Sequence, residues 1–430
     1  NLFIYHMKHS KSKILFTSGG LATLALFSYF CLSAVMSESA SATTTPSTNS
    51  PAKPSGSVWA WGSKGATGLG DGDATNSKVP VQLSNLGDVV EIAVGGAHAL
   101  ALKSDGTVWT WGLNSLGQLG DGTTVSRNTP VQVKNLTGVV SIAAGSAHSL
   151  AAKSDGSVWG WGDRSEGKLG VSSPKIPAYL PVQVPVTGVN SVTAMYARSA
   201  ALKSDGTIMQ WGDFTSTPTL VPGLTGIIDI AYGKSGVALK SDGTVWHFGN
   251  AAPIQIGTIT GAVSIAGGDR HSVATKSDGT VWTWTTTPDA NNFRGELGDG
   301  TNTLKPLNTP VQVVGLTNVK SVAAGFDHSL ALKSDGTVWA WGYNYYGQLG
   351  NNTTTNRNTP VQVNNLTGVT AIAAGQYYSS AISTALTAVT TVAPTPVLTP
   401  ILATATPTNA APIQKSAPAS MIKAALAPSP

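Results

Sequence analysis

The sequence predicts an all-β fold: a seven-bladed β-propeller with four-stranded blades, closed by pairing of its N- and C-terminal strands. Three observations carry this. A two-part motif recurs seven times between residues 55 and 384. Its halves are out of phase, so the repeat region opens with a second half, "SGSVWAWG", and closes with a first half, "AIAAGQYYSSAIST". All 12 tryptophans fall inside the motif. Repetition of this kind means one supersecondary unit per copy, stable only when stacked on its neighbours.

One complete copy is "GVVSIAAGSAHSLAAKSDGSVWGWG", Gly138 to Gly162. The second half leads with Trp59, Trp109, Trp159, Met209, Trp246, Trp282 and Trp339, in steps of 50, 50, 50, 37, 36 and 57 residues. Such variation in length belongs in loops. "HSLALKSDGTVWAW", His328 to Trp341, reads as a hairpin, because Asp-Gly accepts the positive φ angles of tight turns. The same Lys-Ser-Asp-Gly starts at Lys103, Lys153, Lys203, Lys240, Lys276 and Lys333. "TPVQV" (Thr129 to Val133) adds an edge strand with Pro near its start, and the Ala/Gly-rich "SIAAG" suits the crowded axis. That makes four strands per copy, the content of one propeller blade.

The tryptophans form two columns. Trp59, Trp109, Trp159, Trp246, Trp282 and Trp339 make one, completed by Met209; Trp61, Trp111, Trp161, Trp211, Trp284 and Trp341 make the other, completed by Phe248. Residues two apart on a strand share a face, so each blade is expected to press a paired aromatic patch onto its neighbour. Truncating one such buried Trp costs ~3–5 kcal/mol. The same closure joins the two ends of the repeat region and covers strand edges that would otherwise aggregate.

The ends differ from the repeats. "MKHSKSK" (Met7 to Lys13) precedes the uncharged stretch Ile14 to Met36 and a small-residue Ala40-Ser41-Ala42 site. Residues 1–42 therefore read as a signal peptide cleaved near Ala42, or as an uncleaved membrane anchor. Either way the chain is expected to be secreted or held at the cell surface. Residues 43–54 and 385–430 are rich in Pro, Thr, Ala and Ser, as in a disordered leader and tail. The one cysteine, Cys31, lies in the export segment, which leaves a mature chain without thiols. The net charge of +5 comes from the ends: setting aside Lys8, Lys11, Lys13, Lys415, Lys423 and Glu38 leaves 21 Lys+Arg against 20 Asp+Glu. That balance excludes a basic nucleic-acid footprint.

The ordered combination of Ala143 to Gly145, His148, Ser154 to Gly156 and "WGLNSLGQLG" (Trp111 to Gly120) resembles the regulator of chromosome condensation repeat family. The resemblance implies a seven-bladed propeller over about Ser55 to Thr384, here in an exported, bacterial-type member. Trp-Asp dipeptides are absent and copies lie ~50 residues apart, against ~40–45 for WD repeats. The family includes a nuclear guanine-nucleotide exchange factor, whose activity fits poorly with an export signal and a near-neutral propeller. A secreted member that inhibits a β-lactamase looks like the nearer functional analogue.

Within the repeats, His98, His148, His271 and His328 share one position, replaced by Arg198, Gly236 and Tyr378 elsewhere. A structural hydrogen-bonding role is expected there rather than a metal ring. Loops with Asp71, Asp73, Asp121 and Asp299 carry oxygens but not the spacing of a calcium loop. No catalytic triad, carboxylate pair or phosphate loop stands out, so no cofactor, metal or catalytic residue is assigned. The loops after Trp211 and Phe248 are short, which should leave a notch, and residues 285–308 form the longest insertion. Candidate contacts are the off-consensus loop residues Phe214, Phe293, Arg294, Tyr343, Tyr345 and Tyr346, types that dominate protein interfaces. The expected function is a monomeric, non-catalytic scaffold binding an extracellular or envelope protein or glycan. It would meet no nucleic acid, and no membrane beyond its N-terminal segment. A secreted lyase or hydrolase with a site in the central depression is the alternative.

Overall fold

The computed structural model describes residues 55–384 except 64–68, 74, 173–175, 258, 288–293 and 304. The segments read as signal or anchor, leader and tail lie outside the described residues, as does Phe293. Twenty-eight strands form seven four-stranded antiparallel sheets, and the one helical element among the described residues is a short turn, Ser165–Gly167.

In one complete blade the inner strand Val139–Ala144 is followed outward by His148–Lys153, Val158–Gly162 and Ala178–Val184. Successive inner strands touch around the ring. This meander puts two kinds of connection on each side. The Lys-Ser-Asp-Gly turns and the crossings to the next blade make a turn face; the inner-to-second and third-to-outer connections make a loop face. At the turns only the glycine takes the expected positive φ, 78° at Gly106. Asp105 instead accepts the Thr107 N–H at 2.9 Å and its hydroxyl at 2.6 Å, so the carboxylate rather than a left-handed backbone closes the turn.

The two Trp columns share a face but not an environment. Trp61, Trp111, Trp161, Trp211, Trp284 and Trp341 are at most 2% exposed, wedged against the preceding blade. Trp109, Trp159, Trp246, Trp282 and Trp339 are half-buried at the turn-face end. The turn lysine of each lies over the ring, 5.7 Å from the centroid at Lys240 and Trp246. The expected patch is therefore one buried anchor and one lysine-covered edge.

A relay joins the blades. The Trp161 indole N–H and the Ser149 hydroxyl both donate to the Gln118 carbonyl of the preceding blade, at 2.9 Å each. His98 Nε2 meets that Ser149 hydroxyl at 2.9 Å. Because the hydroxyl's one proton is committed, the imidazole must carry its own on Nε2. The same pairing recurs at His148 with Ser199, His271 with Ser329 and His328 with Ser379, at 2.9, 2.7 and 2.9 Å. Tyr378, in a histidine position, reaches the His98 carbonyl at 2.5 Å.

The ring closes as the phase of the halves implies. One sheet orders Ser77–Gln82, Ser57–Gly62, Tyr378–Ser383 and Val369–Ala374. The register is unbroken from Ser57 opposite Ser383 to Gly62 opposite Tyr378. Ser380 adds a bond from its hydroxyl to the Trp59 carbonyl at 2.7 Å. Backbone bonds of 3.0 and 3.1 Å between Gly56 and Val89 tie the entering strand to the first complete blade as well.

Deleting Ser57–Gly62 strips the central partner from this sheet and bares two edges. Size-exclusion chromatography should show aggregation; a monomeric deletion with an unchanged melting curve would contradict the closure.

Burial also sets a pH dependence. Desolvation lowers His98, His247 and His271 to about 4, and His148 and His328 to about 3, against 6.5 when unfolded. On acidification the unfolded chain takes up these protons first, so stability falls below about pH 6.5, by on the order of 1 kcal/mol per pH unit for each ring. Asp229 and Glu296 are raised by burial to about 6 and 7 and act in the opposite sense, losing stability as pH rises. Melting temperature should therefore drop from about pH 7 to about pH 5, and Glu296→Gln should steepen that drop while stabilising the protein at about pH 8. A flat profile for both proteins would refute the assignment.

Candidate interaction face

The tight connections on the loop face place two residues of every blade at the axis. Most copies carry at least one small residue there, as in Gly96-Ala97 and Ser146-Ala147, but three copies carry a ring: Tyr196-Ala197, Phe326-Asp327 and Gln376-Tyr377. Tyr196 sits at φ 51°, a left-handed angle that costs a bulky residue energy and is held only where surroundings impose it. Here its carbonyl accepts the Ser146 N–H at 3.1 Å and hydroxyl at 2.9 Å. Its ring lies 5.0 Å from Phe326, so two blades far apart in sequence meet across the axis. The cavity left beside them, between Gly95, Gly145, Met195 and Gly375, is about 10 Å³, space for one water at most.

From Phe326 the aromatic contacts run outward. Tyr377 is 6.0 Å away, Tyr346 a further 5.1 Å and Tyr345 a further 5.0 Å, with Tyr343 between 6.1 and 6.4 Å from all three tyrosines. Tyr345 is 66% exposed and the others are half-buried. Their loop is pinned from below. Buried Asn344 accepts the Leu349 N–H at 2.9 Å and donates to the Thr353 and Thr355 carbonyls at 3.1 Å, while Gln348 accepts the Tyr346 N–H at 3.0 Å.

Charge lines one side of this strip. Arg294 stacks its guanidinium 4.2 Å from the Tyr343 centroid and pairs with Asp327 at 3.0 Å. Arg270 approaches Asp327 at 3.6 Å and Asp269 at 3.4 Å. Burial raises the Asp327 carboxyl above its ordinary range although both guanidinium groups pull it down. Glu296, nearby, is raised to about 7 chiefly by burial, and accepts the Arg294 N–H at 2.8 Å.

Of the sequence-predicted contacts, Arg294, Tyr343, Tyr345 and Tyr346 come together. Phe214 does not join them. It is 82% exposed at the tip of a separate hairpin, its N–H held by the Glu166 carbonyl at 2.8 Å. It borders a cavity of about 560 Å³ with Arg164, Glu166 and Val171. The short loops do leave a cavity of about 190 Å³ between Arg198, Phe248 and Asn308. Its wall is set by Arg198, which pairs with Asp213 at 2.6 Å and donates to the Lys234 carbonyl at 3.0 Å. Sequence reading passed over Tyr196, Arg270, Phe326, Asp327 and Tyr377, because they occupy variable places inside a recurring motif. Their signal was size: a bulky ring or charge where other copies have Gly, Ala or Ser.

Two of the acidic loops are satisfied by the protein's own cations. Asp121 pairs with Arg127 at 3.1 Å and Asp299 with Lys305 at 3.0 Å. Among the described residues no cluster of three or more His, Cys, Asp or Glu could hold a metal ion.

Comparison with known proteins agrees with this architecture. The chain matches the Regulator of chromosome condensation (RCC1) repeat over residues 55–102, 105–152, 278–332 and 335–382, and a second description of that repeat over 89–118, 139–168 and 319–348. The ultraviolet-B receptor UVR8 of Arabidopsis thaliana is 29% identical over 135 residues, 28% of this chain; the match spans only 29% of that receptor. Prp20p of Saccharomyces cerevisiae, studied for its binding to Gsp1p and histones, superposes with a TM-score of 0.67 at 23% identity, over 76% of this chain and 91% of that one. Human WBSCR16 gives 0.66 at 20% identity, over 76% and 98%. At these identities the solved structures speak to the fold alone. The chain is a seven-bladed β-propeller built of regulator of chromosome condensation (RCC1) repeats.

Proposed function

We propose that this propeller is a non-catalytic scaffold, secreted or held at the cell surface, that binds a protein partner through its loop face. The observation that carries the reading is the continuous aromatic strip from Tyr345 to Tyr196, bordered by Arg294. Tyr and Arg are the residue types on which protein interfaces concentrate their binding energy. A pinned loop presents them at little entropic cost. Filling of the axis by Tyr196 and Phe326 favours an extended contact over the alternative of a substrate site in a central depression. Export is supported by the order of basic, apolar and small residues from Met7 to Ala42. Prp20p, with the same fold, binds other proteins, Gsp1p and histones. Exchange activity of a nuclear kind does not accord with an exported chain.

Fractionation of the native host should place the protein in the medium or at the surface. Cross-linking and capture from that fraction should recover a partner. The double variant Tyr345→Ala/Arg294→Ala should reduce capture by about tenfold or more, with Phe214→Ala as a control that leaves it unchanged. Full capture by the double variant would reject this face.

A further inference from the structure

We propose that the notch left by the two short loops binds a small carboxylate through His247, Thr286 and Arg198. The proposal is independent of the aromatic strip, none of whose residues lines this cavity. It starts from an interruption of the interblade relay. At Trp61, Trp161 and Trp211 the indole N–H and a serine hydroxyl, from Ser379, Ser149 and Ser199, share one loop carbonyl of the preceding blade. Trp284 and Ser272 are the same pair in register, but the loop that would face them, after Phe248, is trimmed. Trp284 donates instead to the His247 Nε2 at 2.9 Å, and the buried Ser272 hydroxyl has no partner. That trade fixes the tautomer of His247. Burial lowers the ring to about 4, so at about pH 7 it is neutral and carries one proton. With Nε2 accepting from Trp284, the proton sits on Nδ1. This N–H makes no hydrogen bond among the described residues, although His247 is only 8% exposed.

His247 lines the cavity of about 190 Å³, and so does Thr286, whose buried hydroxyl also has no partner. Arg198 forms a third part of the wall. It spends one N–H on Asp213 and one on the Lys234 carbonyl, out of the five a guanidinium carries. Asp213 lines a separate cavity of about 30 Å³ that shares Arg198 with this one, and no acidic residue lines the larger space among the described residues. The wall therefore offers an N–H, a hydroxyl and a guanidinium, with no anion among them. A carboxylate matches that set, because its two oxygens accept up to about four hydrogen bonds and gain strength from a charged donor. Phe248 and Ile254 supply an apolar side to the same cavity, so the acid should carry a short hydrocarbon chain. At ~30 Å³ for each water-sized group, the space holds about six non-hydrogen atoms, the size of butyrate.

Titration of the full chain with sodium butyrate at constant ionic strength, followed by NMR of the His247 ring and the Ile254 methyl group, tests this. Ile254→Val identifies the methyl signal and keeps that wall apolar. Saturable shifts with a Kd in the millimolar range are expected of so small a ligand. Acetate should bind about tenfold more weakly, since it lacks two methylenes worth about fourfold each when buried. Butyramide, without the charge, should also bind about tenfold more weakly. Thr286→Val should weaken butyrate about fivefold, and Ala251→Phe, which fills the notch from an exposed position, should abolish the shifts. Absence of a saturable shift, or equal binding of butyrate and butyramide, would overturn the site. The source of the carboxylate is read from the same filling variant. If Ala251→Phe also lowers capture of a protein partner about tenfold, the group is an acidic side chain or chain end of that partner; unchanged capture alongside butyrate binding identifies a free acid.

Discussion

The bond from a buried tryptophan N–H to a loop carbonyl of the preceding blade, 2.9 Å at Trp61, Trp161, Trp211 and Trp341, is the contact on which the ring depends. It orients the indole that fills each junction and fixes the loop that ends above it. Left without a partner, such a buried donor would cost about 1–3 kcal/mol at every junction. At these four junctions the acceptor is backbone, supplied by Gln118, Lys168, Glu296 and Gln348, whereas Trp284 donates to the His247 imidazole at 2.9 Å. That is why the side chain at this position is free to be an amide, a cation or an acid while the geometry stays constant. The serine hydroxyl on the same carbonyl is in turn met by the histidine of the blade before, so two donors of one blade share one carbonyl oxygen and the relay passes back through the serine.

From that junction the loop face follows. The carbonyl belongs to the loop that also carries Tyr343, Tyr345 and Tyr346 in the sixth complete blade, and the side chain of Gln348 folds back onto the Tyr346 N–H. The tyrosines therefore inherit the rigidity of the core contact. At the axis the same ring geometry brings the Tyr196 and Phe326 connections face to face, although 130 residues separate them in sequence.

Much of this was legible in the sequence, and the part that was not has a physical reason. Period-two patterning, the Asp-Gly turns and the out-of-phase halves were local signals, so blade content, blade count and closure could be read directly. The two Trp columns looked equivalent, because alternation reports the face of a strand but not its depth. The interblade relay left a trace: serine follows the histidine position at Ser149, Ser199, Ser329 and Ser379, one copy after His98, His148, His271 and His328. Where the preceding copy carries Arg198 or Tyr378, the next has Val237 or Ala99 instead. The aromatic strip was half visible, since its loop tyrosines departed from the repeat consensus, while Tyr196, Phe326 and Tyr377 needed closure of the whole circle to become neighbours.

The closing blade has a consequence for how the molecule comes into being. Ser57 and Ser383 are 326 positions apart, yet they share one ladder. Contacts of such separation are slow to form, because the loop-closure entropy must be overcome before any pairing returns it. Blades within the chain assemble from neighbouring segments, but the strand at Ser57–Gly62, the earliest of the described strands, has its central partner in the latest of them. Its tryptophans spend the whole of synthesis, and any passage across a membrane, without their cover. Closure of the ring thus waits on a partner made more than 300 residues later, and until then the junction that Trp61 fills stays open.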